Sequence, residues 1–182
     1  MIASDVLERV LAGAVSTGAD FAEVYAEDKR STSAGLDDGK VEQVSSGRDR
    51  GAGIRVVAGD TTGFAYTSDL SEPGLVAAAS AASAAASRGG GGVRTVALTA
   101  STPHRPNTVE QDPDSVAKAA KVELLERMND AARSFGPEIV QVSAGYGDSW
   151  KKVLVANTDG VLTDDEIHQI VRCAAGWLVD HQ

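Results

Sequence analysis

A chain of 182 residues with 42% apolar side chains is long enough to bury a substantial core, and an aromatic content of 4% leaves that core to Val, Leu, Ile and Ala. Seventeen basic against 26 acidic residues give a net charge of −9, so the long-range field opposes phosphate backbones and anionic membrane surfaces; the densest basic cluster, Arg48, Arg50 and Arg55, is interrupted by Asp49. A single cysteine, Cys173, excludes an internal disulfide and is expected as a small buried apolar residue in a reducing compartment, while no apolar run reaches the ~18 residues of a spanning helix. The expectation is a cytoplasmic protein with neither nucleic acid nor membrane as a direct partner.

Along the chain, Ile2, Val6, Leu7, Val10, Leu11, Ala14 and Val15 recur at helical spacing, which predicts a helix over 3–17 capped by Ser4 or Asp5 and stopped by Gly18. From Phe21 the period becomes two: Ala22, Val24 and Ala26 share one face, Glu23, Tyr25 and Glu27 the other. Asp38-Gly39 is a hairpin signal, since both central positions of a type I′ turn need positive φ, and Val41 and Val44 belong to the returning strand. Ile54 to Ala58 and Phe64 to Thr67 read as two more strands joined by the turn Gly59-Asp60-Thr61-Thr62-Gly63.

Ser71-Glu72-Pro73 then announces an alanine-rich helix to Ser87. Four consecutive glycines, Gly89 to Gly92, and the prolines Pro103 and Pro106, with Pro113 just beyond, make 88–112 a connector. Helical structure restarts at Asp112-Pro113, with Val116, Ala120, Leu124, Leu125, Met128, Ala132 and Phe135 as one stripe, and stops at Gly136-Pro137. Three strands are expected after it, starting at Ile139, at Val153 and after the Asn157–Gly160 turn. The fold class is therefore α+β, helices packed on a mainly antiparallel sheet. Segments 1–87 and 113–182 flank the connector within one combined amino-terminal domain, and their shared order of helix then strands suggests a degenerate duplication.

Catalytic signatures are lacking. His104, His168 and His181 are the only histidines, and none stands in an H-E-x-x-H arrangement, so neither a catalytic residue nor a metal ligand is assigned. His168 follows Asp164, Asp165 and Glu166, but strand alternation sends those side chains to opposite faces. No Gly-x-Ser-x-Gly elbow occurs, and Trp150 and Trp177 are expected as core or interface anchors. The segment Gly47 to Arg55 carries the candidate site. Gly51 and Gly53 would let backbone N–H groups approach a ligand, while Arg48, Arg50 and Arg55 could clamp a carboxylate such as a peptide terminus; the plainer reading is a bend with solvated arginines.

Ala22-Glu23-Val24-Tyr25-Ala26-Glu27, Gly51-Ala52-Gly53-Ile54-Arg55-Val56-Val57 with Gly63-Phe64-Ala65-Tyr66-Thr67-Ser68-Asp69-Leu70, and Ala156-Asn157-Thr158-Asp159-Gly160-Val161-Leu162-Thr163-Asp164-Asp165 together resemble the amino-terminal half of the TldD/PmbA family. The resemblance implies cytoplasmic zinc metallopeptidases, long labelled modulators of DNA gyrase, which trim unfolded peptides and pair as dimers. In the family the TldD-type subunit carries a zinc-binding H-E-x-x-x-H motif downstream of this region, and the PmbA-type partner lacks it. This chain is closer to TldD, matches no part of that motif, and is expected to hold no zinc and to be inactive alone. The implied role is to shape a peptide cleft and contacts to a TldD/PmbA-type partner or a second copy. The other reading is a non-enzymatic assembly module that caps a partner subunit.

Overall fold

The computed structural model describes residues 2–86, 95–101 and 109–178, with backbone alone for 174–178. Its elements are α1 (Ser4–Val15), β1 (Phe21–Asp37), β2 (Lys40–Ala58), β3 (Thr61–Thr67), α2 (Glu72–Ala86), β4 (Thr99–Ala100), α3 (Lys118–Arg133), β5 (Ile139–Asn157) and β6 (Val161–Leu178). The strands form a six-stranded sheet in the order β3-β2-β1-β5-β6-β4, with β2 and β3 antiparallel and the short β4 parallel to β6. This is the expected α+β architecture. The β1–β2 turn falls on Asp38 (φ 48) and Gly39 (φ 75), as the hairpin signal required.

Two compact units emerge from the contacts, each assembled from separated segments: Met1–Asp28, Asp49–Pro106 and Lys152–Glu166 in the first, Lys29–Arg48, Asn107–Lys151 and Ile167–Gln182 in the second. Strands β1, β2, β5 and β6 contribute residues to both. Much of the predicted connector, 88–94 and 102–108, lies outside the described residues, as does Ser87; within the remainder sits β4, which residue pattern did not indicate.

In the first unit α1 buries Leu7, Val10, Leu11, Ala14 and Val15, while β1 supplies Ala22, Val24 and Ala26 to the same core. The helix boundary differs from expectation. Ala3 is the N-cap and makes no side-chain capping bond, so Ser4 is already helical; Asp5 instead joins Arg9, whose guanidinium also reaches Glu72 of α2 at 2.7 Å. Helix α2 begins where Ser71-Glu72-Pro73 predicted, with the Gly74 N–H reaching the Ser71 hydroxyl at 3.4 Å. Its Ala78, Ala79, Ala82 and Ala86 are buried, and their small size brings the helix backbone close to Gly63 of β3.

The Arg9 hydrogen bonds hold Asp5 and Glu72 below their ordinary carboxylate values. A depressed folded-state value means a contribution that is whole above the ordinary range, near pH 4, and lost as acidification passes through the folded value. Denaturation by urea near pH 6 and near pH 3 should therefore show a smaller acid loss in Arg9→Met than in the parent. An equal loss would remove the α1–α2 ion network from the acid response.

Helix α3 departs from its predicted register. An Asp112-capped 3-10 turn at Pro113–Ser115 is followed by extended Val116, so α3 starts only at Lys118. Of the expected stripe only Leu125 is fully buried; Phe135 is 85% exposed, and the buried face is Lys121, Leu125 and Asn129. The reason is a small second core, Ala34, Leu36, Leu125, Ala144 and Tyr146, which is too narrow to cover a wide apolar stripe.

Lys121 and Asp148 form an ion pair at 2.6 Å with side chains 3% and 5% exposed. The approach is within ion-pair range but off a hydrogen-bond direction, so Asp148 Oδ2 has no aligned donor. Tyr146, pushed up to about 12 by burial and by its hydrogen bond to Asp148, places its ring 5.6 Å from Lys121 Nζ.

Two further strand expectations are corrected. The pieces starting at Ile139 and Val153 are one 19-residue strand, β5, because Ala144, Tyr146 and Asp148 keep the two-residue period through Gly145 and Gly147. Cys173 is exposed rather than buried, on a stretch of β6 where Ile170 and Val171 are exposed too.

Candidate functional site

Strand β2 runs without a break through Gly47 to Arg55, so the predicted bend is regular strand. Its pairing with β3 sets Gly53 opposite Tyr66 and Arg55 opposite Phe64. The missing side chain at Gly53 is space used by aromatics: an added Cβ would lie 3.0 Å from Phe64 Cζ and 3.8 Å from Tyr66 Cδ1. Phe64 and Tyr66 meet edge to face at 4.6 Å, and Tyr66 is 80% exposed. At Gly51 an added Cβ would stand 3.0 Å from the Thr67 carbonyl oxygen. Glycines here permit close backbone and ring approach rather than a turn.

A hollow of about 420 Å³ results, walled by Tyr25, Glu27, Arg50, Gly51, Gly53 and Tyr66. Tyr25 donates its hydroxyl to Glu27 at 2.8 Å. Three of the five sequence candidates, Arg50, Gly51 and Gly53, thus line one surface. Arg55 does not: it lies 5.6 Å above the Phe21 ring and 3.4 Å from Glu23. Arg48 is an exposed β2 residue of the second unit. Sequence reading missed Tyr25 and Tyr66; β alternation assigned Tyr25 its face and Tyr66 only its strand, and the strand register brings them beside Gly53. An exposed guanidinium among two phenols and flat backbone can stack and hydrogen-bond a peptide chain, and it offers no nucleophile–base pair.

His168 lies 6.5 Å from Trp150, whose ring also carries Arg30 at 5.4 Å, while Glu166 pairs with Lys152 at 3.0 Å. Trp150 belongs to neither hydrophobic core, so it is not the core anchor expected of it. His104 and His181 lie outside the described residues, as does the side chain of Trp177. Among the described residues no three His, Cys, Asp or Glu side chains come together for a metal ion, so they do not fit the zinc that the family resemblance implies. No helix among them is long and apolar enough to cross a membrane.

Comparison with known proteins gives the lineage. Residues 22–86 match the family model of PmbA/TldA metallopeptidase domain 1, and residues 111–171 match that of the PmbA/TldA metallopeptidase central domain; between them the two cover more than half the chain. The chain belongs to the TldD/PmbA metallopeptidase family. The metalloprotease TldD homolog of Haemophilus influenzae is 31% identical over 162 residues, covering 88% of this chain and 33% of the relative. A metalloprotease of Methanothermobacter thermautotrophicus is 29% identical over 80% of the chain. Among solved structures, a modulator of DNA gyrase from Thermotoga maritima superposes over 98% of this chain and 40% of its own, with a TM-score of 0.74 at 16% identity. TldE from Thermococcus kodakarensis covers 94% of this chain with a TM-score of 0.64, also at 16% identity. These TldD/PmbA likenesses carry the α+β fold. The chain spans about a third of the length of the curated relatives it matches.

Proposed function

We propose that this chain is the amino-terminal, non-catalytic part of a TldD-type subunit and that the β2–β3 hollow contacts an extended peptide on its way to a zinc centre built elsewhere. The observation that carries the reading is the hollow itself, in which the strand glycines, Arg50 and Tyr66 offer flat backbone, a cation and a stacking surface to an unfolded chain. Zinc, when bound downstream, would supply the activated water; without a ligand set such activation is lost at neutral pH. The setting is cytoplasmic, and the partner is a TldD/PmbA-type subunit or a second copy.

Fluorescence anisotropy with a labelled unfolded peptide tests this. Gly53→Val, which pushes a side chain against Phe64, and Arg50→Gln should each weaken binding by roughly tenfold. Unchanged affinity in both variants removes the hollow from the peptide path. The same peptide should stay intact with the chain alone plus zinc, and zinc-dependent cleavage would overturn the non-catalytic assignment.

An assembly role draws support from β6, which among the described residues pairs with β4 only at Val161 and Leu162 and exposes Ile167, Ile170 and Val171. A partly covered apolar strand recruits another strand. Light scattering is expected to show mass rising with concentration, reduced by Ile170→Lys; a concentration-independent monomer would count against it.

A further inference from the structure

The second unit contains a cavity of about 320 Å³ that the peptide reading does not use. Its apolar wall is Val116, Ala120, Leu124 and Ile170, and its polar residues are Lys121, Tyr146 and Arg172. Asp148 offsets the charge of buried Lys121, which leaves the Arg172 guanidinium as net positive charge at the rim. From α3 the cavity takes Ala120, Lys121 and Leu124, and the residue before the helix, Val116, closes the same side.

A guanidinium suits a single negative charge, and four aliphatic residues beside it suit a short apolar group. A phosphate would demand more cationic partners, and a purely apolar ligand would leave Arg172 unused. We infer that this cavity binds an aliphatic carboxylate, with the carboxylate at Arg172 and the aliphatic group against Leu124 and Ile170. Such a group is supplied by a peptide carboxy terminus ending in a small aliphatic residue or by a free acylated amino acid. The inference stands apart from the β2–β3 hollow, which belongs to the first unit.

Calorimetric titration of the full chain tests it with four probes: N-acetyl-leucine, N-acetyl-leucinamide, and a short peptide ending in leucine with a free or an amidated terminus. Both acids should bind saturably, and each amide should bind at least roughly tenfold more weakly than its acid. Arg172→Gln should bring the acids down to the level of the amides. Arg127→Gln, the same charge change at another exposed position, should leave them unaltered. Tighter binding of the peptide acid identifies a chain terminus as the ligand, and parity of the two acids identifies the small acid; either supports the site. Equal affinity of acids and amides, undiminished binding by Arg172→Gln with an unchanged circular dichroism spectrum, or no saturable binding by either acid overturns it.

Discussion

Gly63→Ala is expected to destabilise the first unit by about 3 kcal/mol or more, read from the urea midpoint at constant m-value. The added methyl would overlap the Ala82 carbonyl oxygen and stand 2.7 Å from the Ala86 amide nitrogen, and both obstacles are α2 backbone, not the flexible end of a side chain. Relief requires α2 to lift from β3, which separates Ala82 and Ala86 from the core they share with Ile54 and Val56. Gly13→Ala is the matched contrast. It lies on an exposed part of α1 with nothing within 4 Å of the new Cβ, so lower chain entropy in the unfolded state should raise stability by about 0.5 to 1 kcal/mol. A Gly63→Ala midpoint within error of the parent would mean that α2 does not approach β3 this closely.

Lys121→Met should cost the second unit about 3 to 5 kcal/mol, because it leaves the Asp148 carboxylate buried with no compensating charge. The size comes from stranding a charge, not from the pair's net worth. The double variant Lys121→Met with Asp148→Leu should accordingly recover most of the loss, since packed apolar groups often replace a buried ion pair at little cost. Thermal and urea denaturation of the two single variants and the double close this cycle. If the double variant were as unstable as Lys121→Met alone, the loss would come from packing around α3 rather than from charge.

The legible parts of the fold were those written in short-range chemistry. Phe21 to Glu27 alternates as a half-buried strand must, Asp38-Gly39 has the two positive-φ residues its turn needs, and Ser71-Glu72-Pro73 marks a helix start. The misread parts depended on partners far away in sequence. Gly51 and Gly53 suggested a bend, and Ile139 and Val153 two separate strands, yet neighbouring strands hold both stretches in regular extended structure. The apolar stripe of α3 was visible, but the meagre supply of apolar partners in the second core was not, so Lys121 and Asn129 took buried positions that Ala120 and Phe135 had been expected to fill. Cys173 erred for a related reason: cysteine's preference for burial has no force on a strand face that nothing among the described residues covers.

For the site, residue type alone marked Arg50, Gly51 and Gly53. Tyr25 and Tyr66 became neighbours of those residues only through strand pairing, and Arg55 was diverted by Glu23 and Phe21, neither of which is near it in sequence. Fold and family were readable because their signals repeat along the chain. The hollow's membership was not, since it depends on register.

The position of β1 between β2 and β5 has a consequence for the nascent chain. The Ala22 carbonyl accepts from the Thr158 N–H, and the Ala22 N–H donates to the Thr158 hydroxyl, across 136 residues. At about 5 to 20 residues per second of synthesis, this flank of β1 waits roughly 7 to 27 seconds on the ribosome before its neighbour exists. During that interval Ala22, Val24 and Ala26 belong to an unfinished sheet, which is an aggregation hazard.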